Sequence, residues 1–264
     1  MTTTVPSAPR VAGLGVPAQV PPGAVSPHEL LPQFFDTLTA ALGPMHWWPA
    51  KTPFEVIVGA ILTQNTAWIN VERAIANLRR ERMLTPRAIE TTPAGKLARL
   101  VRSSGYFRQK AKKLKAFVRF LRQDFGGSLK RMFRTPTAEL RERLLAVHGI
   151  GPETADSILL YAASHPVFVV DAYTKRILLR HGLLVGEKAG YEEIRQLFEG
   201  NLRPDAKLYN EYHALLVNVG KNWCRSQKPL CDQCPLGPYL IPNPTPNPAP
   251  RNDSPGGDPP EAQR

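Results

Sequence analysis

A chain of 264 residues with 42% hydrophobic residues can bury a sizeable core, as one large domain or two lobes, which excludes a small scaffold held together by staples. Its 34 Lys and Arg against 22 Asp and Glu give a formal net charge of +12, which favours nucleic acid or another polyanion as partner, with a merely solvated basic surface as the alternative. Three cysteines near the C-terminus argue against a disulfide framework, and no apolar run has the length of a membrane span or follows a charged start as in a leader, so a soluble, intracellular protein is expected.

In chain order, residues 1–27 are rich in Pro, Gly, Val and Ala without helical period, and an unstructured extension is expected there. "PHELLPQFFDTLTAALG" places Leu30, Phe34, Leu38 and Leu42 four apart, on one face of a helix. After the run Trp47-Trp48-Pro49, "PFEVIVGAILTQNTAW" is apolar nearly all round, as a buried helix would be. "KAKKLKAFVRFLRQDFGG" gathers Ala111, Leu114, Phe117 and Leu121 on one face and basic residues elsewhere, before a Gly-Gly stop. Thr135 can cap a helix starting at Pro136, and Gly151 stands before Pro152 in the same way. Only "VFVV" reads as a strand, too short and solitary for a sheet, so the predicted fold is all-α. The tail 241–264 is dominated by Pro and is expected to be unstructured.

Three features carry candidate chemistry. In "VHGIGPETA" an Ile sits between Gly149 and Gly151, which leave the backbone open to close approach. The amides opening the next helix can then take a phosphate, or the segment is an ordinary helical corner. Asp171, between "VFVV" and "AYTKRILLRHG", reads as a helix N-cap. It also reads as a carboxylate kept ionised by amide dipoles and able to face developing positive charge, and position alone does not separate the two. Cys224, Cys231 and Cys234 form C-x6-C-x2-C, which suits an iron-sulfur cluster better than zinc, with three separate buried thiols as the remaining reading.

Taken in order, "AILTQNT", "GYFRQKA", "GIGPETADSIL", "VVDAYTKR" and "VGKNWC" leading into the cysteines resemble the endonuclease III family of helix-hairpin-helix DNA glycosylases over about residues 28–240. The resemblance implies a two-lobed helical fold: a helical-barrel lobe over about 44–155, a second lobe of about 28–43 plus 156–223, and a cysteine loop at 224–240. It implies a monomer in the cytoplasm or on the nucleoid that binds double-stranded DNA containing damaged bases and flips the damaged base into a pocket. Asp171 then corresponds to the family's catalytic Asp, and Gln64 to the Gln that fills the space left in the duplex. His148, Gly149, Gly151, Lys110 and Arg176 join Gln64 as expected DNA contacts.

Two departures from the family pattern matter. Bifunctional members carry a lysine in the second hairpin helix that forms a Schiff base with the sugar, and here Glu153 takes its place. A carboxylate forms no imine, so water replaces the amine as nucleophile. The family's fourth cluster cysteine is Leu240, which leaves an incomplete [4Fe-4S] ligand set. Trp47, Trp48 and Pro49, alternatively core residues, resemble the base pocket of the family's 3-methyladenine glycosylase branch, whose cationic substrates stack well on indoles. Three readings follow: a monofunctional alkylpurine glycosylase; an oxidised-pyrimidine glycosylase whose lyase uses Lys51 or Lys175; and a damage-binding protein without catalysis.

Overall fold

The computed structural model describes residues 26–45, 50–184 and 188–240. Among them the regular elements are all helical. They are α1 (Pro27–Leu42), α2 (Pro53–Leu62), α3 (Trp68–Arg80), α4 (Pro86–Thr91), α5 (Ala94–Leu100), α6 (Phe107–Phe125), α7 (Leu129–Met132), α8 (Thr137–Leu145), α9 (Pro152–Ser157), α10 (Ala172–Arg180), α11 (Tyr191–Asn201) and α12 (Ala206–Asn222), with a π-helical turn at Ile158–Ala162. None is long and apolar enough to cross a membrane.

The spacing read from the sequence matches what is buried. In α1, Leu30, Phe34 and Leu38 face inward; in α6, Ala111, Leu114, Phe117 and Leu121 do, and Gly126 closes the helix at φ 58°, where a side chain would be strained. Every residue of α2 from Phe54 to Leu62 is buried, and the one carboxylate among them, Glu55, is met by Arg79 of α3 at 2.5 Å. Helix α8 begins one residue later than expected, at Thr137, with Pro136 at the cap and no side-chain cap from Thr135.

Apolar residues collect in two cores. One is built mainly by α2, α3, α5, α6 and α8; the other by α1, α10, α11, α12 and the segment Phe168–Val170. The chain passes between them at the π-helical turn: Ile158, Leu159 and Ala162 pack in the first core, Leu160 packs in the second, and Tyr161 touches both. A π turn adds a residue to the helical repeat and so swings successive side chains onto different faces, a distortion frequent at functional sites.

The "VFVV" segment is no strand. Val167, Phe168, Val169 and Val170 are buried, and side chains rather than a neighbouring strand meet the amides of Phe168 and Val170. Phe168 N donates to Glu199 Oε1 at 2.9 Å, and Val170 N donates to the Tyr191 hydroxyl at 3.4 Å, both acceptors lying on α11. Buried amides need such partners, and α11 thereby fixes the segment that delivers Asp171.

Candidate active site

The loop after α2 and helix α6 meet at the hairpin between α8 and α9. Ile150 is buried in the first core, which pins the turn. Gly149 has φ 82°, and a Cβ there would lie 2.4 Å from Lys113 Cγ, so both conformation and packing require glycine. The approach side of Gly149 is therefore covered by Lys113, and openness to another group belongs to Gly151, whose Cβ position meets nothing within 4 Å. Gln64, on the loop after α2, donates from Nε2 to the Gly149 carbonyl at 3.0 Å and to Thr154 Oγ1 at 2.9 Å, while its Oε1 accepts from Lys113 Nζ. Gln64 thus ties the α2 loop, the hairpin and α6 into one unit.

Asp171 caps α10 with one oxygen: Oδ1 accepts from Thr174 N at 2.7 Å and Thr174 Oγ1 at 2.9 Å. Its other oxygen, Oδ2, lies 3.7 Å from His213 Nε2 of α12. The one side chain thus caps α10 with Oδ1 and leaves Oδ2 for a second role. Glu153, in the first turn of α9, is close enough to feel the charge of Asp171. Its carboxyl is pushed up to about 7, first by the protein around it and then by Asp171. Glu153 reaches solvent and yet has protein atoms around its carboxyl. Two carboxyls near enough to interact, one elevated near neutrality, form a candidate acid–base pair.

A buried network holds the two carboxyl-bearing segments together, and sequence reasoning missed it. Asp156, fully buried one turn after Glu153, receives Arg141 of α8 at both oxygens, at 2.7 and 3.0 Å. Tyr191 donates its hydroxyl to Asp156 Oδ2 at 2.9 Å, and Arg141 continues to Glu192 at 2.6 Å. Because the Tyr191 oxygen also accepts from Val170 N, the chain α8–α9–α11 ends beside Asp171. The signal was an Asp in "ETADSILL", a short polar-to-apolar transition where an unmatched carboxylate would be costly.

Other expected site residues lie elsewhere. Lys110 is buried at 1% exposure, and its Nζ donates to the Leu62 carbonyl at 2.9 Å and to the Ser104 carbonyl. Burial lowers its pKa to about 8, and the expectation of a DNA contact is corrected to an internal cap on the end of α2. Arg176 is half-buried, and its guanidinium donates to the carbonyls of Cys224 at 2.7 Å and Gly220 at 3.1 Å, joining α10 to the end of α12. His148 is exposed on the hairpin. Lys175 donates from Nζ to the Ala189 carbonyl at 2.7 Å, and Lys51 lines a cavity of about 230 Å³ with Thr52, Asn210 and Tyr161. Trp47, Trp48 and Pro49 lie outside the described residues, immediately before that cavity's Ala50. A residue not anticipated is Tyr106, 66% exposed and held at φ 43° just before α6, a strained setting for an exposed aromatic.

Cys224, Cys231 and Cys234 line one cavity together with Arg180, His181 and Leu240. Among the described residues no three such side chains stand close enough together to hold a metal ion, Arg180 donates to Cys224 Sγ at 2.9 Å, and Leu240 brings no donor atom to the lining. His181 lies with Nδ1 2.8 Å from the Ile177 carbonyl and Nε2 3.2 Å from the Leu236 carbonyl, and a neutral ring donates to one of the two.

An all-α fold with a glycine hairpin between α8 and α9 points to the class of helix-hairpin-helix glycosylases. The chain belongs to the HhH-GPD superfamily of base excision DNA repair proteins, whose family model matches residues 58–204. It is 46% identical to a candidate DNA repair glycosylase of Methanocaldococcus jannaschii over 215 residues, 81% of this chain and 96% of that one. It is 30% identical to the endonuclease III of Thermotoga maritima over 182 residues, 69% and 79% of the two chains. Among solved structures it is similar to the 3-methyladenine DNA glycosylase of H. pylori bound to 1,N6-ethenoadenine, with a TM-score of 0.64 and 30% identity, covering 75% of this chain and 98% of that one.

Proposed function

We propose that this DNA glycosylase is monofunctional and releases alkylated purines, such as 3-methyladenine, by hydrolysis. The observation that carries the reading is Glu153: a carboxyl with a pKa near neutrality stands beside Asp171 where bifunctional relatives place a lysine. The likeness over nearly the whole H. pylori 3-methyladenine glycosylase supports the substrate class. N3- and N7-alkylated purines are cationic while attached to the sugar, so they leave with little acid assistance. The C1′–N bond breaks with its electron pair going to the base; Asp171 faces the resulting sugar cation, and water adds to C1′ while Glu153 takes its proton. Double-stranded DNA is the partner, gripped near Gly151, Gln64 and Tyr106.

Incubating the protein with a panel of duplexes carrying single lesions tests this reading. Release of 3-methyladenine but not of oxidised pyrimidines is expected, and the reverse order would overturn it. We also propose that Cys224, Cys231 and Cys234 hold three corners of a [4Fe-4S] cluster, which when bound would cross-link the C-terminal loop and take no part in base release. Anaerobically purified protein should then be brown, with broad absorbance near about 400 nm; zinc or three free thiols would reject the cluster.

A further inference from the structure

The reaction as proposed uses Asp171 and Glu153 and leaves a buried histidine beside them without a role. His213 lies in the middle of α12, only 6% exposed, between two polar groups from different elements. On one side, its Nδ1 is 2.5 Å from the hydroxyl of Tyr161, in the π-helical turn. On the other, its Nε2 is 3.7 Å from Asp171 Oδ2. Tyr161 in turn lines the cavity that Lys51, Thr52 and Asn210 share, so the row runs from the cavity wall to the acid.

We propose that His213 is a positioning residue for Asp171: with Tyr161 donating to Nδ1, the Nε2–H is aimed at Oδ2 and fixes which edge of the carboxylate faces the sugar. The inference rests on Asp171 being the group that meets the sugar cation. Burial holds the His213 imidazole below its ordinary range, against the opposing pull of Asp171, so the ring is neutral at pH 7 and carries one proton. Electrostatics then chooses the tautomer. A proton on Nδ1 would turn the Nε2 lone pair toward a carboxylate oxygen, lone pair against lone pair. A proton on Nε2 puts a positive edge there and leaves Nδ1 free to accept from Tyr161.

The two oxygens of Asp171 are thereby treated differently. Oδ1 is tethered by both donors of Thr174, while Oδ2 has an imidazole edge at 3.7 Å. A carboxylate held at one oxygen only can still rock about its Cβ–Cγ bond. The second contact restrains that motion in the direction that matters for a developing cation, since productive geometry tolerates only about 10–20° of error. The arrangement uses the π turn directly, because that turn brings Tyr161 between the two cores and onto α12.

The test is single-turnover base release from an alkylated duplex, read beside DNA affinity and the ring nitrogen resonances of the full-length protein. His213→Leu should slow release at least about tenfold with the dissociation constant changed less than about twofold, a loss confined to the transition state. His213→Gln, which retains a donor, should recover to within about threefold of wild type, and Tyr161→Phe should fall between them. Nitrogen-15 spectra of the wild-type protein should show a neutral His213 protonated at Nε2, a readout that needs no variant to fold. A ring protonated at Nδ1, or a folded His213→Leu protein with the wild-type rate, would overturn the inference. An inactive Asp171→Asn alongside a fully active His213→Leu removes only the role of His213; an active Asp171→Asn removes the reading of Asp171 itself.

Discussion

Asp156→Ala removes the centre of the network that joins the hairpin to the segment before Asp171. The carboxylate is fully buried and takes three donors: two from Arg141, at 2.7 and 3.0 Å, and the Tyr191 hydroxyl at 2.9 Å. Breaking a buried ion pair by deleting one partner costs about 3–5 kcal/mol, because the remaining charge stays in a poorly solvated place. Here the lower end applies, since Arg141 retains Glu192 and its side chain is 16% exposed. A loss of about 3 kcal/mol lowers the melting temperature of a domain this size by about 6–12 °C. The loss should be visible by circular dichroism, with Asp156→Asn, which still offers an acceptor oxygen, falling by roughly half as much. Activity should drop even well below the melting temperature, by about tenfold, because Tyr191 also holds the Val170 amide next to Asp171 and small misplacements are expensive in rate. A melting temperature of Asp156→Ala within about 2 °C of wild type would refute the argument that this network bears load.

Asp171→Asn keeps a side-chain oxygen for Thr174 but loses the charge facing the sugar, so base release should fall at least about 100-fold, on the order of 2.7 kcal/mol of barrier, at unchanged DNA affinity; a lower melting temperature with full activity would make Asp171 a cap alone. Lys110→Met should destabilise the fold, leaving the carbonyls of Leu62 and Ser104 without their donor, yet leave the salt dependence of DNA binding as it was; a shallower salt slope would restore Lys110 to the DNA surface. Glu153 titrates higher in the folded protein than its usual 4.5, so its protonated form contributes stability below that value and the contribution is lost as pH rises through about 7. Glu153→Gln should therefore gain in melting temperature over wild type between pH 5 and 8, and lose the rise in base release that wild type shows across about pH 7; parallel profiles would contradict the pairing with Asp171.

The helices were legible in the sequence because one face of each repeats every three to four residues, as in Leu30, Phe34 and Leu38 or Leu114, Phe117 and Leu121. Asp171 was legible as a cap because an N-cap is a local event. What was not legible depends on partners far along the chain. "VFVV" carries strand composition, but the amides of Phe168 and Val170 are met by Glu199 and Tyr191, some 20 to 30 residues away, so β-branched residues fill a buried segment without a sheet. Lys110 stands in a run of lysines that looks like a solvated face; only the docking of α6 on the end of α2 turns this one inward. Arg176 follows the same logic, drawn to the carbonyl end of α12. Glu153 was recognised through its place in a motif, whereas His213, 42 residues beyond Asp171, has no local pattern that marks it.

The central claim is that water, not an amine of the protein, displaces the base. A duplex with one 3-methyladenine, end-labelled and incubated with wild-type protein, measures this directly when half of each sample is heated in alkali and half is treated with borohydride during reaction. The account predicts intact strands without alkali, complete cleavage at the lesion with alkali, and no covalent adduct under borohydride. Strand breaks without alkali, together with a trapped protein–DNA adduct, would contradict it and turn attention to Lys51 and Lys175.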